Sequence, residues 1–174
     1  MMNNVKREYK GKIVLGDKVM VSDPCYNVGT WCQGAVESVV PGTYHCYVEY
    51  CYDDLWGNRV AAIEVVNECF NVDLFDYVET DFDIGVDSGQ AGIFDYEYYV
   101  KNHKDDNWYY RVCNITLARE SSGAIDSNGL VSSSGYGDGS YWCYVAHDLD
   151  GNGSVIAIRV EFITDDDEDD YYED

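Results

Sequence analysis

The chain has 174 residues, 46% of them hydrophobic, and its 33 acidic residues outnumber 11 basic residues to give a formal net charge of −22 at pH 7. This charge excludes binding to nucleic acid or to anionic membranes by long-range attraction, and it favours cationic partners. The length fits one domain, which would bury about 70% of the surface of its unfolded chain.

The N-terminal segment and the cysteines predict the cellular compartment of the protein. Residues 1–7 are not followed by an apolar segment, and no run in the sequence approaches the roughly 18 residues that span a bilayer. Seven cysteines, an odd number without a secretion signal, are expected to be reduced thiols. We therefore expect a cytoplasmic protein that makes no membrane contact.

The first predicted strands span residues 13–15 and 18–22, which are rich in apolar, largely β-branched residues and are bounded by Gly or Asp. Asp23 and Pro24 then predict a turn. Pro24 disfavours helical geometry at Asp23, and the Asp23 carboxylate can accept hydrogen bonds from nearby backbone amides.

A repeated phrase predicts a duplicated β-hairpin. Residues 42–48 (GTYHCYV) and 60–65 (VAAIEV) reappear as residues 139–145 (GSYWCYV) and 155–160 (VIAIRV), at offsets of 97 and 95 positions. The difference of two residues falls in the connecting loop, because paired strands cannot slip by one residue without turning over every side chain. The equivalent cysteines of the two copies are predicted to be small buried side chains.

Alternation in the second strand of each copy predicts which face is buried. The alternate apolar residues of 61–65 and of 156–160 are expected to face the core, whereas Glu64 and Arg159 are expected on a solvent-exposed face. Half-buried alternation of this kind is typical of antiparallel sheets.

Between the hairpins the pattern is mixed. Residues 92–96 and the long run 108–118 are predicted strands, since both are rich in β-branched or aromatic residues. The best helix candidates are residues 67–78 and 96–103, both of them short.

The order Asp, strand, Asp, hairpin occurs twice. It predicts a single β domain over residues 1–164, with duplicated halves at about 11–66 and 84–163 and an insertion around 101–131. The predicted fold class is all-β, mainly antiparallel. We expect a sandwich or a partly closed barrel built from two duplicated β-hairpin halves, with at most one or two short helices.

Residues 165–174 hold eight acidic residues in ten positions and are predicted to be a disordered acidic tail. Without them the body still carries a charge of −14, so the domain is acidic in its own right. Two interpretations of the tail stay open: a solubilising segment, or a segment that mimics nucleic acid or holds a basic protein.

Three motifs carry a resemblance to a known family. They are Asp23-Pro24-Cys25-Tyr26 (DPCY), residues 86–89 (VDSG) and residues 134–141 (SGYGDGSY, matching SGxGDGxY). With them, residues 11–163 resemble a family of uncharacterised bacterial and phage proteins known only as a domain of unknown function. The resemblance implies a conserved fold and no established activity.

Four aspartates that flank the predicted strands and turns are candidate ligand-binding residues: Asp23, Asp87, Asp95 and Asp138, with Tyr141 beside the last. If they converge at one end of the sheet, their repulsion requires a cation, a shared proton or backbone donors. The alternative is that each stabilises its own turn. A metal is left open, and no cofactor and no catalytic residue are predicted.

Residues 148–155 (DLDGNGSV) resemble the front of a calcium loop, with acids or amides at its first, third and fifth positions and Gly at the sixth. The twelfth position, which should be Glu, is Arg159, and a strand follows. A hairpin turn is favoured over calcium binding.

Aromatic residues around the insertion are candidates for a partner surface, because Tyr and Trp combine large contact area with a polar tip. The residues chosen are Tyr98, Tyr99, Trp108 and Tyr110.

The function predicted from these features is a non-catalytic acidic β module, an accessory protein of a phage or mobile element that binds a basic host protein. Two alternatives remain. One is a hydrolase or small-ligand-sequestering protein with a pocket lined by the aspartates, and the other is a nucleic-acid mimic. No direct nucleic-acid binding is expected, and unpaired edge strands leave room for a homo-oligomer.

Overall fold

The structure is a computed structural model that describes residues 4–165. Its regular elements, in chain order, are β1 (Lys6–Leu15), β2 (Val19–Ser22), β3 (Gly34–Val36), β4 (Gly42–Asp53), β5 (Gly57–Asn67), a 3₁₀ turn (Val72–Leu74), β6 (Tyr77–Val86), β7 (Gln90–Asp95), α1 (Tyr96–Asn102), α2 (Asp106–Thr116), β8 (Ser122–Ile125), β9 (Gly129–Ser133), β10 (Gly139–His147) and β11 (Val155–Glu161).

Two antiparallel sheets face each other. Six strands form one sheet in the order β1-β4-β5-β11-β10-β6, and five form the other in the order β3-β2-β7-β9-β8. Apolar side chains from both sheets make up the main core, which includes Ile13, Tyr44, Ile63, Ile93 and Ile158. The predicted all-β, mainly antiparallel fold is confirmed as a sandwich, and the sheets do not close into a barrel.

The repeated hairpins lie side by side in the six-stranded sheet. Strands β5 and β11 are central neighbours, and the equivalent residues Glu64 and Arg159 pair with each other. Ala61 of β5 and Ile156 of β11 are each left without a partner in their hairpin's register, so both copies carry a β-bulge at the same repeat position. A pseudo-twofold axis therefore passes between Glu64 and Arg159 and relates the two halves of the sheet.

The bulge corrects one detail of the predicted alternation. Ile158 and Val160 face the main core as expected, but Ile156 packs in the cluster on the outer face of the six-stranded sheet. An extra residue shifts the alternation by one position, and the sequence pattern alone does not show where this happens.

The prediction that the sheet face carrying Glu64 is exposed to solvent is wrong at the middle of that face. Glu64 is only 3% exposed, because the segment after β5 covers this face with Phe70 and Phe75. The Glu64 carboxylate lies 2.6 Å from the Arg7 guanidinium and accepts a 2.5 Å hydrogen bond from the Tyr77 hydroxyl. These partners make the buried charge tolerable.

The predicted strand at 108–118 is also wrong, since α2 occupies this region. The Asp105 side chain caps the helix by accepting from the Asn107 backbone N–H at 2.9 Å. Trp108, Val112 and Thr116, spaced by four residues, form its buried stripe, whereas Tyr110 is 68% exposed. Trp108, Tyr110 and Val112 also alternate as a strand would, which explains the misassignment.

The two helix candidates have opposite outcomes. Residues 96–103 form α1, as predicted, with Asp95 as its N-cap. Residues 67–78 contain the last residue of β5, the 3₁₀ turn and the first residues of β6, so that prediction is wrong. Helices α1 and α2 pack on the outer face of the five-stranded sheet around Phe94, Tyr99 and Trp108.

Across residues 4–165, no helix is long and apolar enough to cross a membrane. The predicted acidic tail, apart from Asp165, lies outside the described residues.

Candidate binding groove

An open groove with a volume of about 940 Å³ runs along β6, an edge strand of the six-stranded sheet. One wall is the loop between β2 and β3, and the other is formed by β6 and the start of β10. The lining residues are Tyr26, Thr30, Trp31, Cys32, Asp81, Phe82, Asp83, Gly85, Val86, Asp87, Asp138, Gly139 and Ser140.

The groove is acidic. Asp81, Asp83, Asp87 and Asp138 are all exposed on its surface, and the described lining residues include no Lys, Arg or His. None of the ion pairs within residues 4–165 involves these four carboxylates. Their charge is therefore uncompensated inside the protein, and a positively charged ligand would be attracted.

The backbone of β6 sets the positions of these carboxylates. Asp81 and Asp83 point to solvent, while Phe82 between them packs partly against the main core. Phe82 lies so close to Gly34 of β3 that a Cβ at Gly34 would sit 1.8 Å from its ring. Any larger residue at Gly34 would force the Phe82 ring to move at this close approach of the two sheets.

Trp31 stands on the opposite wall and is 93% exposed. Its loop is held by internal hydrogen bonds, since the Gln33 carboxamide oxygen accepts from the backbone N–H groups of Gly29 and Thr30, both at 3.1 Å. The loop is fastened to β6 by a 3.0 Å hydrogen bond from Gly85 N–H to the Cys32 carbonyl. A large aromatic side chain is thus held out in water by a loop that does not need it for its own packing.

Asp87 and Tyr26 close the end of the groove. The Tyr26 hydroxyl donates a 2.6 Å hydrogen bond to the Asp87 carboxylate. Burial raises the pKa of Tyr26 above its usual value, and the Asp87 carboxylate raises it further, so the phenol stays protonated and remains a donor.

Asp23 lies behind this end of the groove and is fully buried. Its carboxylate accepts from the backbone N–H groups of Asp87 and Ser88, both at 2.8 Å, from Cys25 N–H at 2.8 Å and from the Ser88 hydroxyl at 2.6 Å. With four donors, the carboxylate is saturated. Asp23 stabilises the loop and is not available to a ligand.

Asp95 performs the equivalent task in the other half. It ends β7, and its carboxylate accepts from Gly16 N–H at 2.7 Å and from Tyr98 N–H at 3.1 Å. Asp95 pairs with Val19, four residues before Asp23 along the same sheet. The four predicted aspartates therefore do not converge: Asp87 and Asp138 share the groove, whereas Asp23 and Asp95 secure opposite ends of the β2–β7 pair.

The three sequence motifs meet behind the groove. Asp23 of the first motif holds Asp87 and Ser88 of the second, and Ser134 N–H of the third donates to the Gly89 carbonyl at 3.0 Å. The residues of these three motifs thus have a structural role that requires no ligand.

The predicted aromatic residues are scattered. Tyr141 is partly buried, and its hydroxyl donates to the carbonyls of Gly137 at 2.5 Å and Ser134 at 3.1 Å. Tyr99 and Trp108 are fully buried and cannot form a partner surface, because they fill the core under α1 and α2. Tyr98 is half-buried, and Tyr110 alone of the four is largely exposed.

A smaller cleft of about 410 Å³ includes Cys25, His103 and Tyr109. Burial, and after it the nearby Asp23 carboxylate, raise the pKa of the Cys25 thiol to about 12. A thiol that stays protonated at neutral pH is a poor nucleophile. This cleft does not support cysteine chemistry.

Within residues 4–165, no three His, Cys, Asp or Glu side chains are grouped so as to hold a metal ion. In the calcium-like loop, Asp148 accepts from Gly151 N–H at 3.1 Å and Asn152 accepts from Ser154 N–H at 3.1 Å. These oxygens are engaged in the turn between β10 and β11, which supports the hairpin interpretation.

Comparisons of the chain with protein-family models, with curated proteins and with solved structures found no match. The resemblance to a domain of unknown function therefore stays a prediction.

Three residues of the groove were not predicted from the sequence: Trp31, Asp81 and Asp83. The alternation Glu79, Asp81, Asp83 was the available signal for an acidic strand, but nothing local places Trp31 across from it.

Proposed function

We propose that the protein is a non-catalytic binding module whose acidic groove holds a basic, extended segment of another protein. The observation that supports this most is the combination of four carboxylates outside any ion pair with a Trp31 side chain that is 93% exposed on a hydrogen-bonded loop. The resemblance and the charge suggest an accessory protein of a phage or mobile element as the setting.

The chemistry of the groove favours Lys and Arg side chains. Asp81, Asp83 and Asp138 can accept charge-assisted hydrogen bonds from either residue. The Trp31 ring offers a face for a guanidinium or ammonium group, an attraction worth about 0.5–2 kcal/mol. The net charge of −22 would also speed the encounter with a basic partner.

A peptide-binding experiment tests the proposal. A fluorescein-labelled peptide rich in Lys and Arg should bind the protein in fluorescence anisotropy, whereas a Glu-rich peptide of the same length should not. The affinity should fall steeply with added salt, because exposed charges are screened. The triple variant Asp81→Asn, Asp83→Asn, Asp138→Asn should bind at least tenfold more weakly.

The matched control is the triple variant Asp54→Asn, Asp73→Asn, Asp150→Asn. These aspartates are exposed, lie outside the groove, and their loss changes the net charge by the same amount. The control should retain nearly full affinity. Equal losses in both variants would mean that only net charge attracts the peptide, and the groove proposal would be rejected.

Trp31→Ala separates the aromatic contribution from the charge. An exposed Trp that becomes buried at an interface typically contributes about 2 kcal/mol, which corresponds to roughly 30-fold in affinity. Because Trp31 contributes almost no buried surface to the free protein, thermal stability should be unchanged. A variant that binds as well as the parent would remove Trp31 from the site.

A further inference from the structure

The six-stranded sheet has two open edges, β1 and β6. The C-terminal part of each is covered: Val14 N–H of β1 donates to Ser127 at 2.8 Å, and Gly85 N–H of β6 donates to Cys32 at 3.0 Å. Among residues 4–165, no strand pairs with the outer side of residues 6–12 or of residues 77–83. These two segments present backbone groups that can pair with another strand.

The two open segments carry opposite charge. Residues 6–12 contain four basic residues and one acidic residue, a net charge of +3, although the whole chain has only 11 basic residues. Residues 77–83 contain three acidic residues and no basic residue, a net charge of −3. The Lys6 and Lys12 ammonium groups pair within the chain with Glu8 at 2.7 Å and Glu68 at 3.2 Å. Both lysine side chains are largely exposed, at 75% and 54%, and exposed ion pairs of this kind are weak, so a carboxylate of a partner can compete for them.

The segments also lie at the same level of the sheet. A continuous row of paired residues crosses all six strands from one edge to the other: Tyr9, Tyr47, Glu64, Arg159, Tyr144 and Glu79. Because all neighbours in this sheet are antiparallel and four strands lie between them, β1 and β6 run in opposite directions. A second copy placed beside the first would bring its β1 antiparallel to β6. Arg7, which pairs with Glu64 in its own chain and is 40% exposed, would then lie near Asp81.

We infer that the basic edge β1 of one copy pairs with the acidic edge β6 of another and extends the sheet from molecule to molecule. This inference rests on the proposed function in one respect, since β1 of a second copy is the basic extended segment that the groove's edge strand accepts. The contact is heterologous, so it adds copies head to tail.

The charges on the edges select this pairing. Edge strands that only need protection from aggregation can carry charge of either sign. Here, pairing β1 with β1 or β6 with β6 would oppose like charges, while only β1 with β6 brings opposite charges together. Both edges are bulged, which limits the regular pairing to short stretches and favours a reversible contact.

The experiment is sedimentation velocity of the full chain over a concentration range, in about 0.15 M salt, where repulsion between the acidic bodies is screened beyond roughly 8 Å. The wild-type chain should associate as its concentration rises. Lys6→Glu with Lys12→Glu, or Asp81→Lys with Asp83→Lys, should each weaken association at least tenfold. The four substituted residues are exposed, and circular dichroism would verify the fold.

The net charge provides the control. The Asp81→Lys, Asp83→Lys variant is less acidic than the wild type, so general repulsion alone would make it associate more, whereas edge pairing makes it associate less. A chain with all four substitutions has the wild-type net charge and exchanged edges, and it should associate again. A 1:1 mixture of the two double variants should also assemble.

Two results would overturn the inference: a wild-type chain that stays monomeric throughout, or an Asp81→Lys, Asp83→Lys variant that associates more strongly than the wild type. If the chain stays monomeric but still binds the Lys- and Arg-rich peptide, only self-assembly fails. If it assembles but does not bind the peptide, the proposal of a foreign basic partner fails instead.

Discussion

The two halves of the six-stranded sheet, β1-β4-β5 and β6-β10-β11, are built on the same framework. Each has a hairpin with a bulge at the equivalent position, a buried cysteine in its first strand and an edge strand whose C-terminal part is covered by a loop. Asp23 and Asp95 reach across to the opposite half in the same way, since each accepts from the first backbone N–H after the other half's edge strand. The framework is therefore the part of the molecule that both copies share.

The halves differ where function is proposed. The first half has a basic edge strand and the Trp31 loop, whereas the second has an acidic edge strand and the insertion of α1, α2 and β8. The groove forms where the first half's loop meets the second half's acidic edge. Divergence between the halves, rather than their likeness, thus supplies the candidate binding surfaces.

The largest expected effect comes from the insertion. Trp108 is fully buried, and its indole N–H donates to the Tyr98 hydroxyl at 2.7 Å. Trp108→Ala should lower the free energy of unfolding by about 3–5 kcal/mol, because it leaves a cavity between α2 and the five-stranded sheet. Urea unfolding followed by circular dichroism measures the change.

Tyr110→Ala is the control on the same helix, since Tyr110 is 68% exposed and should cost within about 0.5 kcal/mol. The transition for Trp108→Ala should remain single, because the insertion packs on β2 of the first half as well as on β7 of the second. A second transition would show that the insertion unfolds independently of the shared framework.

The two equivalent aspartates, Asp23 and Asp95, should differ in how much they contribute to stability. Asp23→Asn should cost about 3 kcal/mol, because the amide that replaces one oxygen would face donors in a fully buried site. Asp95→Asn should cost only about 1 kcal/mol, since Asp95 is half-buried and loses one of two accepted bonds. Thermal or urea unfolding of the two variants side by side tests this order.

Equal losses of stability in the two variants would mean that the Asp23 and Asp95 contacts contribute equally and that burial does not set their strength.

The Asp23 variant also tests how the groove is positioned. If Asp23→Asn weakens peptide binding in proportion to its effect on folding, its role is to position Asp87 and Ser88; loss of binding without loss of stability would contradict that role.

The fold was predictable from the sequence where strand pairing produces a recognisable local pattern of residues. The hairpins were recognised because residues 42–48 and 139–145 repeat a pattern that antiparallel register preserves. Strand β6 was missed because Glu79, Asp81 and Asp83 lower strand propensity, and pairing with β10 overrides that preference.

The groove was less predictable, because it depends on long-range contacts. Of the four predicted aspartates, Asp87 and Asp138 do line the groove. Asp23 and Asp95 occur in similar sequence surroundings, but their carboxylates accept hydrogen bonds from backbone amides instead. Trp31 lies in the groove because the Cys32 carbonyl accepts a hydrogen bond from Gly85 N–H, more than 50 residues away in the sequence. No local pattern encodes such a contact.

The smallest expected difference separates the two equivalent cysteines. Burial raises the pKa of both the Cys46 and the Cys143 thiols to about 12, so each behaves as a small apolar side chain at neutral pH. Cys46→Ser would bury a hydroxyl group among apolar neighbours and should cost about 2 kcal/mol. Cys143→Ser should cost about 1 kcal/mol less, because the Thr80 side chain interacts with the Cys143 thiol, lowering its pKa, and can partner the new hydroxyl group.

Urea unfolding of both Ser variants measures the difference, and the Ala variants at the same positions provide the control. Cys46→Ala and Cys143→Ala should cost similar amounts, since each removes a sulfur atom from an equally buried site without adding a polar group. If the Ser variants differ while the Ala variants do not, the second half has gained a polar contact that the first half lacks. If all four variants lose the same stability, Thr80 does not partner the new hydroxyl, and the two sites have stayed equivalent in energy as well as in position.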